Sequence, residues 1–218
     1  MPTHRTSYVT EIITNNASNF GDMANGHYSE FESDGSYVMH GNATVWEDLL
    51  PSSVTIGTTG PNFPAFTVYN GNLCAYEFVG SGNVTKEIHL GFQMQHGWKL
   101  GSNISPHLHL YIANTALGGT VKFYCEYTWT NINETGTIAT QTINGTIVRT
   151  NAQSTANNAL LAFSEINGTG KGLSSMLMCR IYRTTTDDAD TYESSVWLKS
   201  ADLHIEKDTD GSREPLVK

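Results

Sequence analysis

The chain has 218 residues, a net charge of −9 and no run of Lys or Arg. An acidic chain without a basic face is poorly suited to nucleic-acid backbones or anionic membranes, so neither is expected as a partner. Charged residues make up only 15%, and the Thr, Ser, Asn and Gly that replace them suit short strands and turns rather than amphipathic helices.

Residues 1–40 have few large aliphatic side chains and no sustained period. Such a segment cannot build a core of its own. Its scattered aromatics Tyr8, Phe20, Tyr28, Phe31 and Tyr37 are expected to be partner-binding anchors. The segment is therefore expected to be an extended N-terminal arm used for anchoring or subunit exchange. Two short extended pieces are expected around Asp34-Gly35.

The folded domain is expected over residues 41–218. Pro51 breaks its opening stretch, and the Gly- and Pro-rich run up to Asn70-Gly71 has the composition of a loop. Strands with period-two alternation follow. Residues 73–79 alternate around Cys74, Tyr76 and Phe78. Residues 87–95 set Ile88, Leu90, Phe92 and Met94 against His89, Gly91, Gln93 and Gln95. Residues 107–113 set Leu108, Leu110 and Ile112 against His107, His109 and Tyr111, and residues 121–129 align Val121, Phe123, Cys125, Tyr127 and Trp129. A Thr-rich pair hinged at Asn144-Gly145 comes next, then one short helix over 155–166, then strands over 174–183 and 194–208. Many short strands at this spacing predict an antiparallel β-sandwich, and the length favours a jelly roll of eight or more strands. Cys74, Cys125 and Cys179 form no paired framework, and the two inside strand runs are expected to be buried hydrophobes. The first ten residues carry no signal-peptide pattern and no apolar run reaches the length of a membrane span, so synthesis in the cytoplasm is expected.

Pro106-His107-Leu108-His109 is the sharpest chemical signal. Residues i and i+2 of a strand share a face, so both imidazoles project together and would suit a transition metal. One chain offers too few ligands on this reading, and three such pairs around a threefold axis would give an octahedral set. A cupin-like enzyme would need a later histidine, for which His204 is available, and an intervening Glu, which is missing. No Gly-x-Ser-x-Gly elbow is present. Trp98, in the run His96-Gly97-Trp98-Lys99, is the best exposed ligand-binding platform for a sugar ring. Asp187-Asp188-Ala189-Asp190 lacks the spacing of a calcium loop and is expected to be a solvated acidic turn.

Several stretches occur in the order found in one family. They are Gly41-Asn42-Ala43-Thr44-Val45-Trp46-Glu47-Asp48-Leu49, Pro106-His107-Leu108-His109 and Glu126-Tyr127-Thr128-Trp129. Gly168-Thr169-Gly170-Lys171 with Ser174-Ser175-Met176-Leu177, and Asp208-Thr209-Asp210-Gly211-Ser212-Arg213-Glu214, complete the set. Over 41–218 the chain resembles uncharacterised virion structural proteins of tailed bacteriophages. The resemblance brings no catalytic residues. It implies a non-enzymatic particle component assembled in the bacterial cytoplasm and located on the virion. The expected form is a homotrimeric capsid decoration or head-fibre-like protein held on the major capsid protein by residues 1–40. A tail or fibre component with glycan-binding loops is the alternative, and a metal-dependent, cupin-like jelly-roll enzyme is the second alternative.

Overall fold

The computed structural model describes residues 18–33, 35–56, 62–113, 118–150 and 157–211. Tyr8, Arg213 and Glu214 lie outside the described residues. The described residues form fourteen strands: β1 Ser18–Asp22, β2 His27–Phe31, β3 Tyr37–Met39, β4 Val45–Leu49, β5 Ser53–Ile56, β6 Ala65–Asn70, β7 Leu73–Phe78, β8 Thr85–Gln93, β9 Ile104–Ile112, β10 Gly119–Thr130, β11 Gln141–Arg149, β12 Asn157–Ala162, β13 Met176–Thr184 and β14 Val196–Lys207. Among the described residues there is no α-helix and no helix long and apolar enough to cross a membrane.

One sheet has the order β11-β10-β13-β8-β5, and the other β12-β9-β14-β7-β6. Their pairings are antiparallel. If β7 to β14 are taken as eight successive strands, the sheets run first-eighth-third-sixth and second-seventh-fourth-fifth. That is jelly-roll connectivity, as the strand count led us to expect. The flanking strands widen it. β5 pairs with β8, and β6 with β7. β14 is long enough to pair with β7 through Val196–Leu198 and with β4 through Leu203–Lys207.

The alternation in the sequence is realised almost residue for residue. Ile88, Leu90, Phe92, Met94, Leu108, Leu110, Ile112, Val121, Phe123, Cys125, Tyr127 and Trp129 all lie in one buried cluster between the sheets. Burial of an aromatic or aliphatic side chain stabilises by about 1.5–3 kcal/mol, so this stripe dominates the fold. Cys125 and Cys179 are buried free thiols, whereas Cys74 is exposed. The hydrogen bond with the Cys125 thiol, and then burial, push Cys179 well above the ordinary thiol range.

Four expectations are corrected. Residues 157–162 form edge strand β12, not a helix. Leu161 is buried and Leu160 exposed, and the run pairs with His107–Ile112 of β9, so tertiary pairing sets a period of two. Asn144-Gly145 is not a hinge, because β11 runs straight through it along β10. Gly145 instead meets the neighbouring strand closely: a Cβ there would lie 2.4 Å from the Ala162 carbonyl oxygen. The segment before Asn70-Gly71 contains β6, which makes a hairpin with β7 around Gly71 at φ 56°. Its β-branched and aromatic residues outweigh the nearby prolines.

The fourth correction concerns the N-terminal segment. Residues 18–39 are a three-stranded antiparallel meander, β1-β2-β3, rather than an extended arm. Hydrogen bonding between its strands provides the order that its sparse apolar content cannot. It is attached to the sandwich where Val38 bridges Thr209 and the Met39 amide donates to the Asp208 carbonyl at 2.7 Å.

Candidate functional site

The outer face of the β12-β9-β14 sheet collects most of the molecule's unusual polar chemistry. On β9 the even positions Leu108, Leu110 and Ile112 enter the core, which turns His107 and His109 outward. Asp202 of β14 is directly opposite His107, and Asp48 of β4 is opposite His204. Strand pairing therefore assembles Asp48, His204, His107, Asp202 and His109 on one face.

Asp202 lies between two imidazoles. Its Oδ1 is in contact with His107 Nε2, and its Oδ2 is 3.3 Å from His109 Nε2. The His107 and Asp202 side chains are 4% and 5% exposed, whereas His109 is 41% exposed and opens the cluster to solvent. Further out, His204 Nε2 is 2.7 Å from Asp48 Oδ1. The His204 ring packs against that of His107 with centroids 4.3 Å apart, and the His109 ring also packs against His107 at 5.1 Å.

Orientation is specific. His107 Nδ1 faces the Ser105 carbonyl at 3.5 Å, which leaves Nε2 turned toward the carboxylate. Asp202 Oδ1 is fully buried and makes no hydrogen bond, despite its contact with His107. The two atoms are close but not aligned as donor and acceptor. Burial lowers the proton affinity of His107, and the Asp202 charge opposes that shift. A neutral imidazole is the form that ligates metals.

Two sets of three side chains bring their ligand atoms within 4.8 Å of one another: His107, His109 and Asp202, and Asp48, His107 and His204. The threefold arrangement expected for His107 and His109 is thus unnecessary, because β14 of the same chain supplies the carboxylate. Spacing along the sequence pointed to both histidines on β9. It had no means of pointing to Asp202, which is 93 residues beyond His109. His204 does reach His107, as a cupin-like layout would require, but on the outside of the sandwich. The interior, where such an enzyme would hold its substrate, is filled by Phe78, Phe92, Phe123 and their neighbours.

The other expected site residues fall as follows. Trp98 is 0% exposed and packs against Trp129 with centroids 5.6 Å apart, so it offers no platform to a sugar. The apolar demand of the core end outweighed its loop-like surroundings. Phe20 and Phe31 are exposed and pack edge to face at 6.3 Å, with Tyr37 at 5.3 Å from Phe31. Tyr28 stacks on His40 at 4.4 Å on the other face of the meander. The acidic turn is not solvated as expected. Asp190 forms a buried pair with Arg183 at 2.7 Å, and Asp187 pairs with Lys122 at 2.9 Å.

The molecule is therefore a jelly-roll sandwich with a His–Asp cluster on one outer face and an aromatic meander at its N-terminal side. No protein-family model matches the chain, and no curated protein matches it.

Proposed function

We propose that this chain is a non-enzymatic structural component of a tailed-phage particle, most closely a capsid decoration or head-fibre-like protein acting as a homotrimer. The observation that carries the reading is the aromatic row Phe20, Phe31 and Tyr37 on the meander. Phe20 and Phe31 are 51% and 48% exposed, and they lie on the same face because Phe20 is opposite Ser29 and Phe31 is opposite Tyr37. Exposed aromatics on a small rigid sheet are the typical anchors of a protein interface. The motif order of residues 41–214 supports the same class.

A second surface suits contact between copies of this chain. β6 is the edge strand beside β7. Phe66 and Val68 share the inward-facing side of Tyr76 and Cys74, yet are 63% and 55% exposed. An uncovered apolar edge strand invites association, and closed symmetric assemblies are the common outcome.

The test uses Phe20→Ser/Phe31→Ser in the full chain. These side chains leave the sandwich core untouched, so the variant should fold. Binding to particles lacking the protein, followed by co-sedimentation, is expected for the natural chain and lost in the variant. Undiminished co-sedimentation by the variant would refute the role of the aromatic row. Light scattering of the free protein tests the trimer, and a monomer at particle-assembly concentrations would refute it. Copy number separates a decoration protein, present in hundreds, from a tail component, present in a few.

A further inference from the structure

We propose that His107, His109 and Asp202 form a binding site for one divalent transition-metal ion of the zinc class within each chain, on the outer face of the β12-β9-β14 sheet. The inference does not depend on the structural role proposed above.

Donor chemistry comes first. Two imidazoles and one carboxylate are a well-matched set for zinc, which takes three protein ligands when a fourth position is left to water. Tetrahedral zinc with bonds of about 2.0–2.1 Å separates its ligand atoms by about 3.3 Å. His109 Nε2 and Asp202 Oδ2 are 3.3 Å apart. The exposure of His109 gives an ion and its water a route in, while His107 and Asp202 form a buried floor.

The buried carboxylate held between two imidazoles is the independent observation. Asp202 Oδ1 is shielded from solvent and accepts no hydrogen bond. Its nearest neighbour is His107 Nε2. In the tautomer that carries its proton on Nδ1, 3.5 Å from the Ser105 carbonyl, His107 presents the Nε2 lone pair to the carboxylate. In that tautomer the two electron pairs require a cation between them, a proton or a metal ion. A metal ion entering the cluster would draw His107 Nε2 and Asp202 Oδ1 apart to ligand spacing and would take His109 as its further imidazole. The arrangement around His107 matches the usual support of a ligating histidine, whose other ring nitrogen faces a backbone carbonyl. His204, held by Asp48 and packed on the His107 ring, fixes that ring from the outer side and is the reserve ligand.

The experiment uses the full chain stripped with a chelator, then titrated with zinc sulfate by calorimetry, with elemental analysis after desalting. One zinc per chain is expected. His109→Ala, at a 41% exposed side chain, should fold normally and lower zinc affinity by about tenfold or more. Asp202→Asn should abolish stoichiometric binding. His89→Ala, on the other sheet and outside the His–Asp cluster, 3.9 Å from Glu87, should bind like the natural chain. Cobalt loading gives a second readout, with visible bands of a low-symmetry four-coordinate ion expected in the natural chain and absent from His109→Ala. No zinc retained at equimolar micromolar concentration would overturn the proposal. So would zinc binding left unchanged by His109→Ala, which decides the matter even if Asp202→Asn does not fold.

Discussion

Asp190→Ala is expected to be among the most damaging single substitutions outside the apolar core. Arg183 sits on the core side of β13, one alternation beyond Ile181, and its side chain is 0% exposed. All of its donors are used. Nε and Nη2 bind the two Asp190 oxygens at 2.7 and 2.9 Å, Nη1 binds the carbonyls of Phe78 and Ser194 at 3.0 and 2.9 Å, and Nη2 also binds the Tyr192 carbonyl. The guanidinium thereby ties the end of β7 to the connection leading into β14. Removing Asp190 leaves the charge buried without its counterion, a loss of about 3–5 kcal/mol. At about 2–4 °C per kcal/mol for a chain of this size, the melting temperature should fall by roughly 6–20 °C. Urea unfolding and calorimetry measure both quantities. Asp188→Ala, at an exposed position of the same turn, is the control and should shift stability by less than about 0.5 kcal/mol. Arg183→Met/Asp190→Leu should recover part of the loss, because neither charge is then left alone. A cost below about 1 kcal/mol for Asp190→Ala, or one equal to that of Asp188→Ala, would refute the reasoning.

Two further outcomes are open to direct measurement. Gly145→Val places side-chain atoms where the Ala162 carbonyl oxygen is 2.4 Å and Leu161 Cδ2 2.6 Å from the Cβ position; urea unfolding should show a cost of about 1–3 kcal/mol from overpacking, and an unchanged midpoint would mean that β11 and β12 separate freely. Hydrogen bonds from Lys122 and the Tyr124 hydroxyl hold the Asp187 carboxyl at about 2, below its ordinary 3.8. A depressed carboxyl contributes stability that is complete above 3.8 and lost as pH falls toward 2. Because the turn lies near the surface, the contribution should be only about 1 kcal/mol. Lys122→Met should flatten that acid limb in urea midpoints taken from pH 5 to pH 2, and an unaltered limb would remove Lys122 as its cause.

Legibility in the sequence followed how locally each feature is determined. The stripes of β8, β9 and β10 could be read because both sheets bury one face of each strand, so alternation is written into consecutive residues. Edge strands gave weaker signals. In β6, Phe66 and Val68 alternate with polar residues but remain exposed, and prolines beside them suggest a loop. In β12, adjacent Leu160 and Leu161 fit a helix as well as a strand, and only pairing with β9 decides between them. Gly145 follows Asn144 as a turn signal would, yet the demand on it comes from another strand's backbone. The burial of Trp98 is hidden for a related reason: its neighbours in sequence are polar, while its neighbours in space include Trp129.

The His–Asp cluster marks the same boundary from the functional side. His107 and His109 are two residues apart, and the strand period alone puts them on one face. Asp202 enters only through jelly-roll connectivity, which places the eighth strand beside the third and so sets β14 against β9. Asp48 then enters because β14 outlasts its pairing with β7 and takes β4 as a second partner along Leu203–Lys207. The carboxylates reach the imidazoles through the register of two ladders. A shift of one residue in the β9–β14 register would turn Asp202 to the other side of the sheet and replace it on this face with Ala201 or Leu203. The buried pair of His107 and Asp202 is therefore tied to the same register that buries Leu108 opposite Ala201. The cluster stays fixed for as long as the core beneath it stays packed, and that rigidity is the condition for holding an ion in a defined geometry.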